Sequence, residues 1–495
     1  MDDLEPITFD KVSNSMPLSD LNSAAQSAQA DEIVTVSILE GASLSNQGVT
    51  SNPQDAEKTQ GPGPAGKGEI LAWASYDIAN ATYGTVVATA IYNAYFVSTI
   101  CKNPLNIGSW EISGTVLLTI VICLSALTIV VTAPVVGTIA DATASKKKLL
   151  LLSTAFCILC TASLGFIEPG QAWYAMIALY LANTFFGTGE DLVASFLPEL
   201  ATKEQMGRIS ALGWAAGYVG SLIALGLSFA FIEWSKTTGA VATVYVPQTM
   251  LICATMFSLF SIPTFVWLKE RAKPDLSARG NVVTVGFARL KHTISHAKHY
   301  RDLFNFLLTM FVYSCGTTTL IHLASVYAQK VLNFTTQESI IMILAVSVIA
   351  AIGAGVFGVV QDKIGSIKTL LVTLVIWTIA TIIAFAAQEK AHLWVSSVFI
   401  GLAMGATGSA SRAMVGQFSP AGRSGEFLGL WGVAHKLATA TGAFTFGAVV
   451  MLSGDNYRLA VLFCAVFFIV GAVLLLRVDE QRGRLAATLD ADVPV

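Results

Sequence analysis

In a chain of 495 residues, 54% are hydrophobic and only 12% carry charge, about half the charged fraction of a soluble domain. A soluble globule of this length has too little interior to hide that much apolar side chain. The formal net charge of −3 leaves no global basic field of the kind that holds nucleic acid.

The first segment, Met1 to Gly66, sets ten acidic residues against Lys11 and Lys58 and ends close to Gly61-Pro62-Gly63-Pro64. It lacks the apolar core of a signal peptide. Residues 1–68 are expected to form a disordered, acidic, cytoplasmic tail. After Gly68, twelve apolar runs follow, near 71–100, 112–140, 149–167, 172–198, 209–232, 249–268, 303–328, 338–360, 368–387, 392–415, 425–451 and 458–476. Each is long enough to cross a hydrocarbon core of about 30 Å. Continuous rather than alternating hydrophobicity excludes a β-barrel, so each run must close its hydrogen bonds as a helix. The predicted fold is all-α: a polytopic membrane protein with twelve transmembrane helices in two six-helix bundles, 69–268 and 303–477. Between them lies a basic cytoplasmic linker, 269–302, and after them a cytoplasmic tail, 478–495.

Lys and Arg set the orientation. The loops on the linker side hold seventeen and the opposite loops five, and the bias keeps its sense without the linker. Both termini are therefore expected in the cytoplasm. The seven cysteines belong to no disulfide framework. The Cys157-x-x-Cys160 pair lies inside an apolar run, where thiols act as small hydrophobes, and no metal or other cofactor is expected.

A local repeat ties the halves together. Gly137-x-x-x-Asp141 precedes Lys146-Lys147 between runs two and three, and Gly358-x-x-x-Asp362-Lys363 precedes Lys368 between runs eight and nine. Glycine permits close helix approach and the aspartate caps or pairs, so these loops are candidate cytoplasmic gates. Within the membrane an ionisable group costs about 2.5–3.5 kcal/mol and needs a reason. Run one carries Asp77 beside a polar-aromatic stripe of Tyr76, Asn80 and Tyr83. Run four carries Glu190-Asp191, and run eleven His435-Lys436. The lysine is expected to pair with Asp77, Glu190 or Asp191, or to meet a substrate carboxylate. Asp77, Glu190, Asp191 and Lys436 are the first candidates for coupling or substrate contact, with Tyr76, Asn80, Tyr83 and Trp214 behind them. His322 reads as an interface residue.

The paired loops resemble the signature loop of the major facilitator superfamily, with Ala142 and Ala144 where that loop has a basic residue and a glycine. Trp73-x-x-Tyr76-Asp77-x-Ala79-Asn80, Phe196-Leu197-Pro198-Glu199 with Gly207-Arg208-Ile209-Ser210-x-x-Gly213-Trp214-x-x-Gly217-Tyr218, and Ser411-Arg412 with Pro420, Arg423 and Glu426-Phe427 are similar to one branch. That branch is the unknown-major-facilitator group, with the autophagy-related vacuolar amino-acid effluxers. Departures are Tyr313-Ser314-Cys315-Gly316 in run seven, His435 for Gly and Ala443 for Pro.

The resemblance implies a secondary transporter, not an enzyme, that moves a small polar organic solute by alternating access. Amino acids lead, with efflux favoured and proton coupling expected. Neither a phosphate-binding Gly-x-x-x-x-Gly-Lys-Ser/Thr loop nor a His-Glu-x-x-His metal motif occurs. The expected partners are a small-molecule substrate, protons and the lipid bilayer, with no nucleic acid, and the chain is expected to act as a monomer. A bacterial inner membrane and a vacuolar membrane fit equally. The competing reading is a facilitator-shaped receptor or scaffold that moves nothing.

Overall fold

The computed structural model describes residues 65–107, 110–200, 206–271, 281–418 and 424–489. The acidic segment 1–64 lies outside them. Twelve long helices run through the described residues. The first, α1, is Lys67–Thr85 and continues through a π-helical stretch, Val86–Ala90, a turn, Tyr92–Tyr95, and a second π-helical stretch, Phe96–Ile100. Then come α2 (Gly114–Thr143), α3 (Lys146–Ser163), α4 (Ala172–Ala194), α5 (Met206–Thr237) and α6 (Ala242–Trp267). The second half holds α7 (Arg301–Leu332), α8 (Thr336–Ile364), α9 (Ser366–Ala386), α10 (Lys390–Phe418), α11 (Ser424–Leu452) and α12 (Tyr457–Leu475). Nine of these are long and apolar enough to cross a membrane, among the described residues. The other three, α1, α4 and α11, are those into which Asp77, Glu190-Asp191 and His435-Lys436 are built.

Small residues set how the helices cross, and the pattern occurs twice. In the first half α5 lies on α1 through Gly213, Gly217 and Gly220. A Cβ at Gly220 would stand 2.7 Å from Ile78 Cα. In the second half α11 lies on α7 through Gly442, against Cys315 and Thr319. Gly187 seats α4 on Ile129 of α2, and Gly353, Gly401 and Gly405 seat α10 on α8. Close backbone approach of this kind replaces the hydrophobic drive that lipid cannot supply. The third helix of each triplet faces outward. Leu151 and Leu159 on α3, Leu259 and Val266 on α6, Val375 and Ile382 on α9, and Val466 and Val473 on α12 are all exposed, as lipid-facing positions must be.

The ends near residues 269–302 form what we call the linker end. There the repeat extends to charged clamps. After α6, Glu270 accepts from the backbone N–H of Lys146 (2.6 Å) at the start of α3, and Arg271 grips Glu69 at the start of α1 with two bonds of 2.5 and 2.6 Å. After α12, Glu480 accepts from Ile367 N–H (3.2 Å) at the start of α9, and Arg482 grips Asp302 at the start of α7 at 2.5 and 2.7 Å. A carboxylate at a helix N-terminus satisfies free donors and complements the dipole. The short helix Glu480–Leu489 that carries the second clamp and a linker helix, Val282–His299, fall where the sequence reading has only a tail and a linker. The linker helix sits on α2 through Gly286, whose added Cβ would be 2.6 Å from Pro134 O. At the opposite end Leu105–Ile107 and Trp110–Ile112 pair as a short antiparallel hairpin, the one departure from an all-helical chain among the described residues.

Two predictions arise here. Arg271 hydrogen bonds hold the Glu69 carboxyl below its usual range, against a smaller opposing effect of burial. A depressed pKa adds stability that is full above the unfolded value, about 4.3, and is lost as pH falls through the folded value. Glu69→Gln is thus expected to lower the melting temperature at pH 7, by the equivalent of about 2 kcal/mol, and the gap to the wild type should shrink as pH falls below about 4. A gap independent of pH would refute the clamp. Separately, Ala144 ends α2 at φ 47°, ψ 54°, a left-handed conformation that costs an L-residue about 1–2 kcal/mol. Its counterpart, Gly365, sits at φ 88° after α8. Ala144→Gly should therefore raise thermal stability by about 1 kcal/mol.

Candidate functional site

Between the halves, α1, α4 and α5 face α10 and α11 across a cleft. Lys436 Nζ of α11 donates to Glu190 Oε2 of α4 in an ion pair that joins the two halves. Gly187, one helical turn before Glu190, makes the room: a Cβ there would press on Ile129 and stand 3.4 Å from Lys436 Nζ. The Lys436 side chain is 14% exposed and that of Glu190 50%. The carboxylate thus meets cleft water although it lies in a membrane helix. Asp191 turns about 100° from its neighbour. It attracts Lys436 electrostatically but makes no hydrogen bond to it.

Asp77 lies on α1 against α5. Gly213 makes room there, because an added Cβ would press on Asp77 Oδ2 and approach the Trp73 ring to 3.0 Å. Trp73 Nε1 donates to Val193 O at 2.9 Å and fixes α1 to α4. Tyr76 and Tyr83 point away from the cleft. The hydroxyl of Tyr76 bonds Thr154 of α3 at 2.7 Å, and that of Tyr83 donates to Asn183 of α4 at 2.8 Å. Asn80, on the same stripe, is buried, and its Oδ1 has no partner among the described residues. Trp214 stands in the cleft, 48% exposed. His322 bonds Thr318 O through Nδ1 at 2.7 Å and sits at the interface between halves.

Sequence reasoning missed Arg412. Counted only with the basic residues of the linker side, it lies within α10, with Cζ 4.7 Å from the Trp214 ring centroid and 5.3 Å from that of Trp431. Asp77 and Glu190 both attract it. The available signal was its place in the Ser411-Arg412 match together with the aromatic residues of the neighbouring junctions. Trp431 in turn stacks on His435, centroids 5.7 Å apart at 12°.

Beyond this layer, toward the hairpin end, the halves touch at several points. Asn93 donates to His322 O (3.2 Å), Ser325 to Thr89 O, Thr115 bonds Tyr457 (2.8 Å) and Gln337 meets Glu233. The π-helical stretch of α1 takes part. Its displaced carbonyls are met by Thr89 Oγ1 on Gly84 O and Asn93 Nδ2 on Ala88 O, a local rewinding of the sort that marks functional segments. A cavity of about 160 Å³ lies between α1 and α5 on one side and α7, α8 and α10 on the other, with Thr85, Ser221, Thr319 and Ser347 among mainly apolar walls. Of the two candidate gate loops, Lys363 is exposed and Gly137 has open space beside it. The side chains of Asp141 and Asp362 and the surroundings of Gly358 lie outside the described residues. No cluster of three or more metal-ligating side chains occurs among the described residues.

Two bundles of six, related by an internal repeat and meeting at a cleft with ion-paired walls, define a multi-pass membrane transporter of the major facilitator type. The fold matches solved transporters of that type. A mutant form of the nucleoside transporter NupG aligns at TM-score 0.62, with 10% identity and coverage of 83% of this chain and 99% of that one. A D-xylose-proton symporter aligns at TM-score 0.61, with 14% identity and coverage of 84% and 98%. Residues 65–488 match the family model for vacuole effluxer Atg22-like proteins, and the chain belongs to that family. An uncharacterised MFS-type transporter, YxiO of Bacillus subtilis, is 26% identical over 86% of this chain and 98% of its own length. Autophagy-related protein 22 of Yarrowia lipolytica is 26% identical over 57% of this chain, and the match spans 51% of that longer protein. YxiO and the two solved structures are named as transporters.

Proposed function

We propose that the protein is a proton-coupled secondary transporter that exports small polar organic solutes, amino acids foremost, as a monomer working by alternating access. The observation that carries this reading is the Glu190–Lys436 pair, which joins the two halves at membrane depth while leaving the carboxylate open to the cleft. A scaffold has no use for such a pair, because its insertion is costly. Protonation of Glu190 removes the charge that holds Lys436 and releases one half from the other. Asp77 and Asp191 supply further negative charge to the same layer, and Trp214 lines the path. Tyr76 and Tyr83 keep α1 in register with α3 and α4, so that α1 moves as part of its half, and Asn80 leaves a buried acceptor beside them.

Contacts at the hairpin end, with Trp214 and Glu190 exposed nearer the linker end, support a cleft open toward the linker. On this reading the linker end and both termini are cytoplasmic, in a bacterial inner membrane or a vacuolar membrane. The loops of Gly137 and Asp141, and of Gly358, Asp362 and Lys363, then close the cytoplasmic side in the other half of the cycle. The name vacuole effluxer supports the direction. Purified protein in proteoliposomes, given a mixture of labelled amino acids with and without an imposed pH gradient, tests the proposal. Uptake that follows the gradient is expected. No flux would favour a receptor or scaffold, and flux indifferent to the gradient would remove proton coupling.

A further inference from the structure

We infer that the cavity toward the hairpin end is a binding site for a small uncharged apolar ring, of benzene to toluene size, and that its occupant holds the two halves together there. The holding effect rests on the transport reading above; the binding does not. The walls come from both halves: Thr85 and Thr89 of α1 with Tyr218 and Ser221 of α5 on one side, and α7, α8 and α10 on the other. The volume of about 160 Å³ is close to that of an apolar cavity of about 150 Å³ that takes up benzene. No charged side chain lines it among the described residues.

The hydroxyls of the wall already donate elsewhere. Thr89 donates to Gly84 O (2.8 Å), Thr319 to Cys315 O (2.7 Å), Ser347 to Ile343 O (2.9 Å) and Ser397 to Leu393 O (2.8 Å), each within its own helix. Tyr327 donates to Ala384 O at 2.6 Å. Thr85 donates to Ala81 O (2.7 Å), which leaves the proton of Ser221 for the Thr85 oxygen 2.8 Å away. A guest with an acceptor atom finds no proton from any of these, and a buried acceptor left unpaired is costly. The cavity is thus set apart from the path of a polar cargo. Met342, Met404 and Phe446 in the wall favour a ring, because thioethers adapt to an irregular outline and make favourable contacts with aromatic edges.

Contacts between the halves adjoin this cavity. Ser325, next to the lining residue Ala324, donates to the carbonyl of Thr89, and Gln337 of α8 meets Glu233 of α5. When the hairpin end opens in the other half of the cycle, such contacts break and the cavity divides, so a guest keeps only one of its walls. A guest that binds one arrangement better shifts the population toward it. It therefore slows transport without competing for the place of the solute.

Full-length protein in nanodiscs is titrated with fluorobenzene and, separately, with 3-fluoropyridine, which has the same outline and adds an acceptor nitrogen, while the fluorine resonance is followed. Saturable binding of fluorobenzene is expected, with 3-fluoropyridine at least about tenfold weaker. Ala324→Leu grows a side chain from the wall and should weaken fluorobenzene at least about tenfold in the same lipid, which separates the site from partition into the bilayer. Tyr218→Phe removes the remaining hydroxyl of the wall and should leave fluorobenzene binding unchanged. With spin labels at Glu168 and Glu389, exposed at the hairpin end, fluorobenzene should shift the distance toward its shorter value. It should also slow uptake in proteoliposomes, with half the effect at the concentration of half-saturation.

Equal affinity for the two probes, or fluorobenzene binding untouched by Ala324→Leu, would overturn the inference and leave the transport reading standing. If the Ala324→Leu protein does not fold, the two probes on the wild type decide alone. Binding that leaves the hairpin-end distance and uptake unchanged would overturn the holding role. Absence of flux before any probe is added would overturn the transport reading and leave the binding result in place.

Discussion

Lys436→Gln is expected to lower transport at least about 100-fold. Removing one member of a buried ion pair costs about 3–5 kcal/mol, because the other charge is stranded. The lower figure applies here, since half of the Glu190 side chain is exposed, and it converts to about two decades in rate. The carboxylate that remains also loses the partner whose release we assign to the proton. Two further variants separate coupling from simple damage. The exchanged pair, Glu190→Lys with Lys436→Glu, should return transport to within about tenfold of the wild type, because the attraction is symmetric in sign. The neutral pair, Glu190→Gln with Lys436→Gln, should give a folded protein whose remaining flux ignores pH. Initial uptake rates in proteoliposomes between pH 5 and 8 decide all three. An exchanged pair as inactive as the single variant would argue for a lysine that acts on solute rather than on Glu190.

Gly405→Val should be the most damaging change to the fold. An added Cβ at Gly405 would overlap the carbonyl of Ala350 on α8. At the same crossing Gly401 already lies against Ile349 (2.9 Å from the position of a Cβ) and Gly353 against Leu402 O (2.7 Å). Backbone, not a flexible side chain, is what the new methyl groups meet, so the two helices must part along their length. Overpacking costs typically 1–3 kcal/mol and occasionally more, and a rigid helix crossing puts this case at about 3 kcal/mol. The expected readouts are loss of monodisperse protein on gel filtration and a lower melting temperature. Gly416→Ala on the same helix serves as control. Nothing lies within 4 Å of its Cβ position, and alanine gains helix propensity over glycine, so stability should hold or rise.

Most of the architecture was readable because lipid reduces the choices. Continuous apolar runs in a bilayer have one way to close their hydrogen bonds, and their limits lie within five residues of the helices observed, except that α6 begins seven residues before its run. The site was readable as far as charge stands out against oil: Asp77, Glu190 and Lys436 are conspicuous for that reason alone. What periodicity did not convey is direction. Tyr76, Asn80 and Tyr83 share a face, but that face turns inward, where the two tyrosine hydroxyls bond α3 and α4, partners that α1 alone does not disclose. Arg412 was hidden for the opposite reason. It lies within run ten yet counts toward orientation with the linker-side basic residues, and its place shows only once two tryptophans converge on it from other helices. The clamps of Glu270-Arg271 and Glu480-Arg482 were equally silent, since their partners lie far away in sequence.

Two halves that rock about a central ion pair must change their separation in opposite senses at the two ends. Spin labels at Thr143 and Lys363, exposed at the linker end of each half, and at Glu168 and Glu389, exposed at the hairpin end, allow both distances to be followed by double electron–electron resonance. On adding a transported solute across pH 5 to 8, the linker-end distance should shorten while the hairpin-end distance lengthens. Distances that change together, or neither changing while substrate is bound, would contradict the account.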